Sequence, residues 1–162
     1  MTVKTESPAP FIGAFEKVTE TAAKQFPAWF NKFRQNSYNH LSEIEFPTVK
    51  DEEWKYTNLT ALAKMSFDVI SDNKLKETKE LDQYLSKDEI NLIFINGSFS
   101  KELSNLKNLP KGLTILPLSE AFEKNQTEIE QLLSRYEAKS ENYFISLNQV
   151  LAQDGLFIRL DK

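Results

Sequence analysis

The spacing of the apolar residues changes character near residue 90, and that change limits the class of fold open to this chain. Ahead of it, Phe11, Phe15, Val18 and Ala22 recur at helical intervals, which predicts an amphipathic helix from Phe11 to about Lys24. Pro27 interrupts the pattern and suits an early position of a second helix. That helix carries Trp29, Phe30, Phe33, Leu41 and Ile44 towards one side and ends before Phe46-Pro47. Leu59, Leu62, Met65 and Phe67 follow; then comes a mixed-charge loop from Ser71 to Lys79 and a short helix at Leu81 to Leu85. From Ile90 to Ile95 the chain turns β-branched and aromatic, and Asn96-Gly97 supplies a tight hairpin turn. Leu113 to Leu116 reads as another strand, closed by Pro117. Ser119 and Thr127 are placed to cap two helices, and Tyr143 to Leu151 gives one more. Leu156 to Leu160 alternates like a strand. Helices first, then strands and helices mixed, predict an α+β or α/β domain with a small mixed sheet.

A length of 162 residues suits one domain with a single core. Acidic residues outnumber basic ones by 24 to 20, and lysines alternate with acids, so a nucleic-acid partner is not expected. No apolar run approaches the ~20 residues that cross a bilayer, so no membrane partner is expected either. The absence of cysteine excludes disulfides and thiolate metal sites. Residues 1–10 are polar and Pro-bearing, without an apolar signal core, and read as a disordered lead-in. A cytoplasmic location fits these features.

One stretch stands out: Phe46-Pro47-Thr48-Val49-Lys50-Asp51-Glu52-Glu53-Trp54-Lys55-Tyr56-Thr57-Asn58-Leu59. Thr48 is placed as a helix N-cap, with Asp51 as its capping-box-like partner and Glu52 and Glu53 near the positive end of the helix dipole. Trp54 and Tyr56 with Lys50 and Lys55 could form an aromatic–basic ligand patch. The favoured reading is that both rings anchor a short helix to the core, with Trp54 substantially buried. Three adjacent acids on a helix point in different directions and cannot converge on a metal unaided. His40 is the single histidine, and Asn39 and Leu41 beside it offer neither an orienting acid nor a nucleophile. Asn96-Gly97-Ser98 lacks the further glycines and the lysine of a phosphate loop. No catalytic, cofactor-binding or metal-binding residue is therefore expected.

Pro47, Lys50, the pair Glu52 and Glu53, then Trp54, Lys55, Tyr56 and Thr57 resemble the signature of the SufB/SufD family of iron–sulfur cluster assembly proteins. Later segments are similar to its SufD branch: Asn96 to Ser100, Leu103 to Leu106, Leu109 to Leu113, Phe144 to Asn148 and Asp154 to Arg159. The resemblance spans residues 26–162 in chain order and marks the signature as structural. It implies an N-terminal α/β domain over residues 11–152, with residues 153–162 starting the strand that opens the family's β-helix, itself absent from this chain. It also implies a non-enzymatic component of a scaffold complex. There a SufB-like paralogue and a SufC-like ATPase are the partners of the full-length protein, and the full complex handles the iron–sulfur cluster. Two competing readings are a free-standing interaction module and a small hydrolase or transferase using His40. Without β-helix neighbours, residues 156–162 are expected to fray or to order only by local packing or against another copy.

Overall fold

The computed structural model describes residues 15–19, 26–67, 79, 81–86, 88–136 and 142–161. Residues 1–10 and the loop from Ser71 to Asn73 and onward to Thr78 lie outside them, as do both ends of the first predicted helix. The order of elements is α1 (helical over residues 15–19), α2 (Ala28–Leu41), a 3-10 turn (Glu52–Trp54), α3 (Thr60–Ala63), β1 (Phe94–Ile95), β2 (Ser98–Phe99), β3 (Leu113–Pro117), α4 (Leu118–Lys124), α5 (Gln126–Ser134), α6 (Tyr143–Val150) and β4 (Leu156–Leu160). The class is α+β. In place of one mixed sheet there are two antiparallel pairs, β1 with β2 and β3 with β4.

Two compact units share the chain. The first takes residues 1–69 and 130–152, the second residues 70–129 and 153–162. In the first unit α2 packs along α6. Phe15, Leu41, Tyr143, Leu147 and Val150 form its core, with Tyr38, Ile44, Phe46, Phe144 and Leu151 packed against them. The Phe15 and Tyr38 rings stack 4.1 Å apart. Pro27, as expected, immediately precedes the first residue of α2, where its missing N–H costs nothing. α6 starts at Asn142, whose side chain accepts from the Phe144 and Ile145 amides.

In the second unit the Asn96-Gly97 hairpin forms as read, with both residues at positive φ (49° and 87°) as a type I′ turn requires. Only Phe94 and Ile95 of the predicted Ile90–Ile95 strand pair as a ladder; Asn91 instead bridges to Asn105. β4 runs antiparallel to β3 from Leu113↔Leu160 to Pro117↔Leu156. Of the alternatives expected for residues 156–162, fraying or ordering by local packing or against another copy, residues 156–160 take local packing, because β3 supplies a neighbour within the chain. Gly112 makes the approach possible: its φ is +87°, and a Cβ there would meet the Asp161 carbonyl oxygen at 3.1 Å. Arg159 pairs with Glu128 of α5 at 3.2 Å, and Asp154 accepts the Phe99 amide at 2.7 Å, tying β4 to α5 and to the hairpin.

The predicted Leu81–Leu85 helix is a turn, closed by the Tyr84 amide on the Leu81 carbonyl. Ser119 and Thr127 lie inside α4 and α5 rather than capping them, since Pro117 precedes α4 and α5 already begins at Gln126.

Candidate functional site

The signature segment folds as a chain of tight turns. The Thr48 amide donates to Asp51 Oδ2 at 2.7 Å, and the Thr48 hydroxyl lies 3.1 Å from the same oxygen. Thr48 Oγ1 accepts the Lys50 amide at 3.2 Å. This is one half of the expected capping box, with the acid reaching back to the capping residue. No α-helix follows it. The Trp54 amide meets the Asp51 carbonyl and the Thr57 amide meets the Trp54 carbonyl, so Glu52–Trp54 is a single 3-10 turn.

Three residues fasten the segment to the first unit. Pro47 is buried. Phe46 sits edge-on to Tyr143 at 5.0 Å and to Phe144 at 5.9 Å. Trp54 lies tilted against Phe144 at 5.1 Å and is partly buried. Tyr56 departs from the anchoring expected of both rings. It is 93% exposed, with the Lys55 ammonium 5.7 Å from its ring, and among the described residues it anchors nothing in the core. The physical reason is the short turn: three residues per turn leave one aromatic position facing α6, and two residues later the chain faces water. Lys50, Glu52, Glu53, Lys55 and Thr57 are exposed as well, and Lys55 reaches Glu52 only at 3.8 Å. The segment therefore presents a ring and mixed charges to solvent over an apolar footing.

His40 is half-buried in the last turn of α2. Among the described residues no group of three or more His, Asp or Glu side chains could hold a metal ion. No helix among them is long and apolar enough to cross a membrane.

A polar cluster in the α2–α6 seam escaped the reading of the sequence. Arg34 is 2% exposed and donates through Nε to the Val150 carbonyl at 3.1 Å. Ser37 Oγ lies 3.0 Å from both the Phe33 carbonyl and Gln149 Oε1, and Gln149 Nε2 donates to the Tyr136 carbonyl. Burial lowers the Arg34 guanidinium to about 10 and raises the Tyr143 hydroxyl to about 12. The signal was present: Arg34 and Ser37 fall on the same helical stripe as Phe30 and Leu41, where apolar residues belong.

Set beside known proteins, the sequence matches the SufBD protein N-terminal region over residues 5–162. The chain belongs to the SufBD family. Within this family it is similar to the iron-sulfur cluster assembly SufBD family protein of Synechocystis sp., 34% identical over 82 residues. That match covers 50% of this chain and 18% of the SufBD relative. No solved structure matches the chain.

Proposed function

We propose that this chain serves iron–sulfur cluster assembly as a non-catalytic, protein-binding N-terminal module of a SufD-like component. The family match over residues 5–162 carries the reading. The signature segment supports the mode of action, since Tyr56, Lys50 and Lys55 are held out in water on a footing of Phe46, Pro47 and Trp54. A ring displayed on a fixed turn loses little conformational freedom on contact, a property of interface anchors. The cluster itself is cargo of the full complex, in which a SufB-like paralogue and a SufC-like ATPase are the partners, in the cytoplasm. The chain has no thiolate to offer a cluster, and among the described residues neither the histidine nor the carboxylates gather to replace one.

Titration of the chain with a SufB-like and a SufC-like protein by calorimetry tests the reading. Binding to at least one of them is expected, weakened about tenfold or more by Tyr56→Ala. Anaerobic reconstitution with iron and sulfide should leave no stoichiometric cluster on the chain alone after desalting. A retained cluster, or ATP turnover surviving repurification, would refute the non-catalytic role.

A further inference from the structure

The Asn96-Gly97 turn builds the β1–β2 hairpin, and the proposed function makes no use of it. An asparagine or aspartate followed by glycine is also a reactive pair, because no Cβ shields the glycine nitrogen from the side-chain carbonyl before it. Glycine follows such a residue twice in this chain, at Asn96-Gly97 and at Asp154-Gly155.

The structure separates the two. Asp154 is partly buried and both of its carboxylate oxygens are held: Oδ2 accepts the Phe99 amide at 2.7 Å and Oδ1 accepts the Gly155 amide at 2.7 Å. The Gly155 nitrogen would have to give up that bond before it could attack. Asn96 and Gly97 are both exposed, and among the described residues neither the Asn96 carboxamide nor the Gly97 amide has a hydrogen-bond partner. A Cβ placed on Gly97 would meet nothing within 4 Å, so water reaches the turn and its peptide plane has room to rotate.

The backbone favours ring closure as well. A five-membered ring through the Asn96 side chain and the Gly97 nitrogen eclipses Cβ with that nitrogen. The first central residue of a type II′ turn does so, at φ of about +60° and ψ of about −120°. Asn96 already has a φ of 49°, and Gly97 can change its own φ without steric cost. Types I′ and II′ are both two-residue hairpin turns, so the exchange keeps β1 and β2 paired.

We propose that Asn96 is a site of spontaneous modification, converted through a succinimide with Gly97 to aspartate and isoaspartate. The Gly97 nitrogen bonds to Asn96 Cγ, the Cγ–Nδ2 bond breaks, and Nδ2 leaves as ammonia with the proton that Gly97 gave up. Water then opens the ring. Attack at Cγ restores the backbone with an aspartate, and attack at the main-chain carbonyl leaves the chain running through the side chain. Either product adds a negative charge. The second also lengthens the backbone of the turn by one carbon, which the pairing of Phe94 with Phe99 and of Ile95 with Ser98 does not accommodate. The hairpin therefore loosens as the protein ages.

The 162-residue chain, aged in mildly alkaline buffer, is digested and mapped by mass spectrometry, with isoaspartate distinguished by fragmentation and by enzymatic methylation. Asn96 should be the first residue converted, faster as pH rises, with Asp154 unchanged. Gly97→Ala should slow the conversion about tenfold or more, since its Cβ shields the nitrogen and narrows the backbone. A free peptide of residues 92–101 is the benchmark. Asn96 still intact when that peptide has fully reacted, isoaspartate at Asp154 ahead of Asn96, or an equal rate in Gly97→Ala would overturn the site. If Gly97→Ala fails to fold, the wild-type map against the peptide still decides.

Discussion

Trp54 and Tyr56 stand two residues apart and carry opposite burdens. Full loss of a buried Trp costs about 3–5 kcal/mol, but Trp54 keeps part of its surface in water and, among the described rings, leans on Phe144 alone. Trp54→Ala should therefore cost about 2 kcal/mol, and Tyr56→Ala should stay within about 0.5 kcal/mol. Urea unfolding with unchanged m-values checks both; a Tyr56→Ala loss as large as that of Trp54→Ala would contradict the exposure seen here. The order of residues made the segment recognisable, yet not which ring was buried. Aromatic rings serve packing and contact alike, and the geometry of one turn decides between them. Arg34 was hidden for a different reason: a charged residue on an apolar stripe reads as a lapse in amphipathicity until its partners across 116 residues are known.

Among the elements, those marked by periodicity or turn chemistry were legible, and long-range pairing was not. The α2 helix and the Asn96-Gly97 hairpin follow from local spacing and backbone chemistry. The alternation in β4 announced a strand but not its neighbour, because pairing with β3 is a matter of register between distant stretches. The five-residue ladder, the Asp161 amide on the Gly112 carbonyl at 2.8 Å and the Arg159–Glu128 pair all act on that strand. Amide exchange from Phe157 to Leu160 should accordingly be slow and independent of protein concentration. Protection that grows with concentration would point instead to pairing between copies.

For the molecule as a whole, alkaline pH sets two buried groups of the first unit against each other. Tyr143 titrates at about 12 folded against 10.0 unfolded, so its contribution is complete below pH 10 and lost as pH rises towards 12. Arg34 runs the other way: its folded value of about 10 lies below that of a free guanidinium, so the folded state sheds a proton first and the penalty of burying the charge is relieved above pH 10. The two slopes oppose each other across the same window. Denaturant midpoints of the wild type should change little between pH 10 and 12 on their account. Arg34→Met should fall over that range, because the tyrosine is then unopposed. A parallel decline in both proteins would show that the guanidinium does not titrate there.

Each unit is assembled from two separated stretches of chain, and α2 finds α6 only after the whole of residues 70–129 has been made. On a ribosome adding about 5–20 residues per second, the roughly 100 residues between these helices take on the order of 5–20 s to appear. Throughout that interval Phe30, Phe33 and Leu41 are a finished amphipathic face without its partner. The nascent chain thus presents that face unpaired with α6 at a defined length, until α6 clears the exit tunnel.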